Sequence, residues 1–404
     1  MNHCHRYFAL ALLPFIVTTA LGASLPHVFS LDPQKLADAK TRLTAGDTAL
    51  APALGRLQRE ADKALQMKAV SVMDKKQTPP SGDKHDYLSL APYFWPDPNK
   101  SDGLPWINRD GEVNPASRQD NDHDPLEKTC GSIYTLSLAY YFTGSEAYAG
   151  KAVSLLKGWF LDAATKMNPN LNFAQGVPGR TQGRGTGIID TGSLIHVADS
   201  LGLLDGSRAW TPELRHGMEK WFGAYALWLK TSKNGKDEAK AKNNHGVWYA
   251  AQLAAYALAA GDSATARAEV EHGRTLIASQ IEPDGSQPLE LKRTKSYSYT
   301  LYNLQAHFTL AELGRRVGVD LFGYRTGDGR SIRAALDYVT PYFNAAKPWP
   351  GKQIKEVRQP DAALAELMRR AACLFPGSDY EKTLEPCESA LAPERFLLLW
   401  TKAR

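Results

Sequence analysis

Nine stretches of the chain carry apolar residues at steps of three and four, a period that leaves few folds open. They cover residues 126–143, 146–161, 188–204, 212–231, 247–260, 264–280, 302–317, 332–344 and 362–374. This spacing lines the apolar residues along one face of an α-helix, and the Gly and Pro residues near the ends of the stretches stop the helices there. Two further helices are expected between residues 30 and 72, divided near Gly46-Asp47. Strand-like alternation is sparse and the links are mostly short, so neighbouring helices run antiparallel. The fold class predicted is all-α, a series of helical hairpins. Residues 24–404 form one domain, because no linker-like change of composition divides them.

Two irregular segments interrupt the helices. Residues 77–117 are rich in Pro, Gly, Asp and aromatic side chains, with Tyr93-Phe94-Trp95-Pro96-Asp97-Pro98, Gly103-Leu104-Pro105-Trp106 and Arg109-Asp110-Gly111. A long stretch without regular structure is functional or disordered, and this density of aromatics opposes disorder. It reads as an ordered loop lining a cleft, with Tyr93 and Trp95 as ligand contacts. The second segment, residues 168–185, combines amides, glycines and two arginines. Glycine lets backbone amides approach a ligand and Arg pairs with carboxylates, which makes Gln175, Arg180 and Arg184 binding candidates. A solvated loop with nothing bound is the alternative.

Residues 1–23 read as a secretory signal peptide. A short start carrying Arg6 precedes the apolar run 7–18, and Thr19-Ala20-Leu21-Gly22-Ala23 supplies small residues for cleavage. The run is too short to span a bilayer, and so is every later one. The expectation is a protein of the periplasm or medium, free of the membrane once cleaved and acting as a monomer. The formal charge is +5, and losing Arg6 leaves +4. That mild excess suits an anionic ligand without requiring one, and the scattered Lys and Arg residues argue against nucleic acid. An oxidising compartment permits a disulfide, and Cys373 and Cys387, either side of a Pro-Gly turn, are expected to form it. The usual cysteine–metal spacings are absent. Asn121-Asp122-His123-Asp124 reads as a polar loop and helix cap more readily than as metal ligands.

The chemistry gathers in two strings, Asn243-Asn244-His245-Gly246-Val247-Trp248-Tyr249 and Leu289-Glu290-Leu291-Lys292-Arg293-Thr294-Lys295-Ser296-Tyr297-Ser298-Tyr299. One Asn is expected to cap the helix that follows, and the other to face a cleft, where its amide and the helix N-terminus favour a carboxylate. An amide, an imidazole, a guanidinium and phenols suit removal of a proton beside a carboxylate: donors neutralise the acid, a base takes the proton, and an acid protonates the leaving oxygen. For Tyr299 to act as a base near neutrality its pKa must fall by roughly 3 units, and Arg293 is the expected source of that shift.

These strings, with the aromatic loop and Gly183-Arg184-Gly185-Thr186-Gly187-Ile188-Ile189-Asp190, resemble the alginate lyase superfamily of polysaccharide lyases. The likeness runs in matching order from Tyr87 to Leu304. It implies an incomplete (α/α) toroid that cleaves a β-1,4-linked polyuronate by β-elimination, mannuronate-rich alginate first and glucuronan second, without a metal or organic cofactor. By position, Asn244 and His245 bind and neutralise the uronate carboxylate and Arg293 assists. Tyr299 takes the C5 proton and protonates the C4 oxygen, with Tyr297 as its rival. Asn243, Trp248, Tyr249 and Tyr297 join the substrate contacts. Classical members carry Ser-Tyr-Trp after the His, and here Gly246-Val247-Trp248-Tyr249 follows, so the resemblance defines the reaction more firmly than the substrate.

Two other classes stay open on the sequence. A glycoside hydrolase on the same toroid needs two carboxylates across the bond, and Asp97, Asp110, Asp124, Asp190 and Glu290 are available. A non-catalytic polysaccharide binder uses the same aromatics and arginines but has no need of an activated Tyr299.

Overall fold

A computed structural model describes residues 25–402, and the signal segment read at 1–23 lies outside them. The first hairpin pairs α1 (Pro33–Thr44) with α2 (Ala51–Leu65). Asp32 caps α1 by accepting from the backbone N–H of Gln34 at 2.9 Å and Lys35 at 3.2 Å, while Pro33 fills the first position, where no N–H is needed. The irregular segment follows, with three short strands, β1 (Leu88–Leu90), β2 (Phe94–Trp95) and β3 (Ile107–Asn108). Then come α3 (His123–Thr143), α4 (Glu146–Leu156), β4 (Phe173–Gly176), α5 (Leu194–Leu203), α6 (Pro212–Thr231), α7 (Lys233–Glu238), α8 (Asn244–Ala259), α9 (Ser263–Gln280), α10 (Pro288–Leu291), α11 (Ser296–Arg316), α12 (Ile332–Val339) and α13 (Ala362–Leu374).

The hairpins bend into an incomplete (α/α) toroid, as the resemblance implied. Its centre is α8, which packs on α9, α11, α6 and α5 and buries 13 of its 16 residues. Alanines dominate its length, and small side chains let four neighbours come close without leaving voids. On the far side α3 packs on α2, α4 and α5. Between α6 and α8 the core is aromatic, with Tyr225 and Tyr256 stacked at 5.4 Å and Phe160 edge-on to Trp221 at 4.8 Å. No described helix is long and apolar enough to cross a membrane.

The departures from the predicted helices have physical causes. The helices expected from residues 247 and 302 begin earlier, at Asn244 and Ser296, because their first turns are polar and show no apolar period. Three predicted helices are cut short, and the one at 332–344 ends at Val339, where a 3₁₀ stretch broken at Phe343 and Asn344 follows. The one at 146–161 stops at Leu156 and widens into a π-turn, Lys157–Leu161, that drives Trp159 and Phe160 into the core. The one at 188–204 starts only at Leu194, after a 3₁₀ stretch Gly185–Thr191. The expected Cys373–Cys387 bridge is absent, and both are free thiols. Cys373, in the last turn of α13, points its Sγ at the carbonyls of Trp400 and Thr401, and Cys387 is buried in the separate turn Glu385–Cys387.

What positions the cleft is the anchoring of the irregular segment. β1 pairs in parallel with β4, and β2 pairs antiparallel with β3, so the aromatic loop and the glycine segment are tied to each other. At its base Lys75 Nζ lies 3.0 Å from Asp122 Oδ2, and both side chains are at most 2% exposed. Asp122 Oδ2 also accepts the Leu88 N–H of β1 at 2.8 Å. Burial pushes the Asp122 carboxyl up to about 6 and the Lys75 ammonium down, so each ion depends on the other. Replacing Lys75 by Met strands a buried carboxylate and is expected to cost about 3–5 kcal/mol in denaturant unfolding at neutral pH. Because a raised carboxyl pKa contributes stability at low pH and loses it as pH rises, the deficit should shrink as the solution is acidified. A variant as stable as the parent at neutral pH would show that the pair does not hold the segment.

Candidate active site

The N-terminal turns of α8 and α11 meet at one wall of a cleft of about 950 Å³. The aromatic loop and the glycine segment form the rest of it. Of the residues singled out in the sequence, Tyr93, Gln175, Arg184, Asn243, Asn244, His245, Arg293 and Tyr299 line it. Trp95, Arg180, Trp248, Tyr249 and Tyr297 do not. Trp95 donates to the Glu112 carbonyl and lies under Arg109, and Arg180 is spent on the Trp106 carbonyl. Trp248 packs on Tyr302, Tyr249 donates to the Leu229 carbonyl inside the core, and Tyr297 is buried edge-on to Trp349. The last three follow from helical geometry: on α8 and α11 these positions fall on faces turned toward neighbouring helices.

Asn244 is fully buried, and its amide is not free. Glu290, on α10, accepts the Asn244 backbone N–H at 2.8 Å and its Nδ2 at 2.9 Å through both oxygens. This carboxylate, rather than an Asn side chain, satisfies the start of α8, and its negative charge suits the positive end of the helix. Burial raises its pKa against the pull of the Asn244 donors. Next along the chain, His245 presents Nδ1 to Glu238 Oε1 at 2.5 Å, with Glu238 itself buried at the end of α7. Nδ1 therefore carries the proton in this contact and Nε2 is the nitrogen left for the cleft.

Arg293 sits between two partners. Its guanidinium forms an ion pair with Asp110, Nη2 to Oδ1 at 2.6 Å, and lies 3.7 Å over the Tyr299 ring. Burial alone would raise the Asp110 carboxyl, but hydrogen bonds from Arg293 and Thr294 hold it down to about 2. The Tyr299 hydroxyl donates to Tyr93 Oη at 2.8 Å, and Lys295 Nζ stands 3.4 Å from that same oxygen. The expected depression of the Tyr299 pKa does not occur in the free site. Burial and the neighbouring Tyr93 hydroxyl raise it, and Arg293, whose charge is shared with Asp110, opposes them without prevailing. Tyr299 is a neutral phenol here.

The opposite wall is built on Asp190. This buried carboxylate accepts from Tyr87 at 3.1 Å, Ser89 at 2.6 Å and Gln175 Nε2 at 2.7 Å. Gln175, held at φ +48, in turn accepts from Arg184 Nη2 at 2.8 Å. Arg184 lies 5.0 Å over Phe94, and burial lowers its pKa. The glycines of this segment serve the chain and not a ligand: a Cβ at Gly183 would sit 2.0 Å from the Asn172 carbonyl oxygen, and one at Gly187 would sit 2.6 Å from Ala174 Cβ. Lys295 and His123, quoted in the sequence strings but given no place at the site, also line it, and sequence reasoning missed Lys355, Arg118, Glu127 and Tyr302. Nothing in their local spacing marks them, because they come together only through the fold.

Basic groups outnumber free acids in this cleft. Arg118, Arg184, Arg293, Lys295 and Lys355 line it, while Asp110, Asp190 and Glu290, three of the five carboxylates a hydrolase reading drew on, are already engaged. The arrangement can bind a polyanion, polarise a carboxylate and transfer protons between a phenol, an imidazole and a sugar.

The family model described as "Alginate lyase" matches residues 71–349. Among solved structures, the chain is similar to an alginate lyase from Bacteroides ovatus at 41% identity and a TM-score of 0.89, covering 94% of this chain and all of that one. Alginate lyase A1-III from Sphingomonas species A1 has the same fold at 20% identity and a TM-score of 0.59, covering 93% of this chain and 98% of the other. A variant of alginate lyase A1-III complexed with tetrasaccharide aligns at 19% identity with a TM-score of 0.60, over 95% and 98%. No curated protein is matched.

A spectrophotometric titration of the protein against its Tyr299→Phe variant should show the extra phenolate appearing only above the ordinary tyrosine range of about 10. A phenolate already present near neutrality would contradict the neutral site described above.

Proposed function

Because this chain belongs to the alginate lyase family and is a polysaccharide lyase, we propose that it cleaves β-1,4-linked mannuronate-rich alginate by β-elimination, leaving 4,5-unsaturated uronate ends. The observation that carries this reading is the meeting of Tyr299, Arg293 and His245 in a cationic cleft whose nearest carboxylates are engaged with the protein's own groups. Such a cleft favours a polyanion, and its free groups are those elimination needs.

In this reading the uronate carboxylate enters between the Arg293 guanidinium and His245, close to Asn244 at the start of α8. Hydrogen bonds and positive charge there stabilise the negative charge that grows on the carboxylate as the C5 proton leaves. Tyr299 takes that proton and returns one to the C4 oxygen. One residue can do both because in β-linked mannuronate the proton and the leaving oxygen lie on the same face. Its phenol must first ionise by losing its proton to solvent, and the charges of Arg293, over the ring, and Lys295, on the Tyr93 hydroxyl, favour the phenolate. In guluronate the two groups lie on opposite faces, and His245, oriented by Glu238, would share the work. Arg184 holds a neighbouring uronate.

We also propose that residues 1–23 direct export and are removed, and that residues 24–404 act as one catalytic domain in the periplasm or medium.

The test is ultraviolet absorbance of the mature protein with polymannuronate, polyguluronate and glucuronan in separate reactions. Polymannuronate should give the fastest rise, and Tyr299→Phe should lower kcat by about a thousandfold. Since the Tyr299 pKa is raised, the phenolate fraction grows about tenfold per pH unit below it, so kcat/KM should climb from neutral into alkaline solution. A faster rise on glucuronan would move the substrate to polyglucuronate. New reducing ends without absorbance would mean hydrolysis and overturn the proposal.

A further inference from the structure

A second cavity of about 950 Å³, as large as the catalytic cleft, lies along the same helix. It is walled by α2, α3 and the start of α5, with Arg395 closing one side. Glu127 lines both cavities. The link is a stripe on α3. Glu127, Lys128 and Gly131 are exposed, whereas Leu126, Thr129, Cys130 and Ile133 between and beyond them are buried. A side chain added at Gly131 would meet nothing within 4 Å, so the stripe is open where it enters the cavity.

The floor of the cavity is aromatic. Helix α5 buries nine of its ten residues, and the exception is His196, which is exposed and lines this cavity. Its ring stacks on Tyr134 at 4.5 Å with planes 16° apart. The open side of this stacked ring offers a flat face to the cavity. Around this floor the charge is positive. Lys63, Lys68 and Lys128 are exposed on the lining, and Arg395 reaches in from the chain's end. The two acids are Glu60 and Glu127, and Glu60 is committed to Arg56 and Arg395 at 2.9 and 2.6 Å. A stacked aromatic floor under ammonium groups suits a sugar ring that carries a carboxylate.

We propose that this cavity is a second saccharide site, which takes a short uronate oligosaccharide or the far end of a chain lying in the catalytic cleft. The proposal rests on the polyuronate reading of that cleft for the identity of its ligand. It adds a function: the site retains an anionic chain along α3 and raises the affinity for long polymers over short ones.

The experiment counts bound ligands. In a Tyr299→Phe background, so that nothing is cut, calorimetric titration with saturated tetramannuronate should give two sites per chain. Lys63→Glu/Lys128→Glu, which reverses charge on exposed positions, should weaken one of them by about tenfold or more. His196→Ala, which removes the floor and leaves the charges, should weaken the same one. With Tyr299 restored, the charge-reversed enzyme should show a raised KM on long polymannuronate and an unchanged kcat. A single site in the parent, or a second site indifferent to both variants, overturns the proposal. Absence of any unsaturated product from the unmodified enzyme would instead refute the lyase reading, and the ligand count still decides the second site.

Discussion

The cleft exists because Asp110 grips two turns of chain at once. Its carboxylate pairs with the Arg293 guanidinium and accepts both the backbone N–H and the hydroxyl of Thr294. The aromatic loop has little regular structure of its own, and α11 begins only at Ser296. Without a tie between them, the phenol on one side and its tyrosine partner on the other would have no fixed separation. The same carboxylate takes up part of the charge that would otherwise fall on Tyr299. One side chain therefore sets both the geometry of the site and the resting state of its phenol.

That resting state reflects a competition among burial, hydrogen bonding and charge. Burial favours the neutral form of a phenol, and a guanidinium at 3.7 Å favours the anion. Because Arg293 is compensated by Asp110, burial prevails. On the reading of the cleft as a polyuronate site, the substrate's carboxylate competes with Asp110 for Arg293 when it arrives, and Lys295, on the Tyr93 hydroxyl, adds positive charge beside the phenol. A site of this kind holds its phenol neutral at rest, so the phenol must lose its proton to solvent before it can act as a base.

The sequence carried the helical hairpins in its apolar periods, since packing rewards a helical stripe wherever one exists, while their closure into a toroid came from the family resemblance. It also carried the location of the site, because the Asn-His pair and the Arg-to-Tyr string stand out against the helices. The orientation of individual side chains was less legible. Tyr249 and Tyr297 sit beside the site in sequence, yet the helical turn carries each into the core. The role of Glu290 was missed for the opposite reason: a capping carboxylate 46 residues from the helix it completes leaves no local pattern. Cys373 and Cys387 had the spacing of a bridge, but adjacent turns aim them at different neighbours.

The glycines of residues 176–187 place a limit on how this cleft can change. At Gly176, Gly183, Gly185 and Gly187 a methyl group would collide with backbone or packed side-chain atoms at 2.8, 2.0, 2.7 and 2.6 Å. At these four glycines the wall is pressed against its neighbours, and none of them can take a larger residue without moving the backbone. Variation in what the cleft accepts is thereby channelled to the aromatic loop and to the exposed basic rim, where side chains can be exchanged without moving the backbone. The scaffold is conservative on one face and open to experiment on the other, a division of evolutionary freedom that was laid down by packing and not by chemistry.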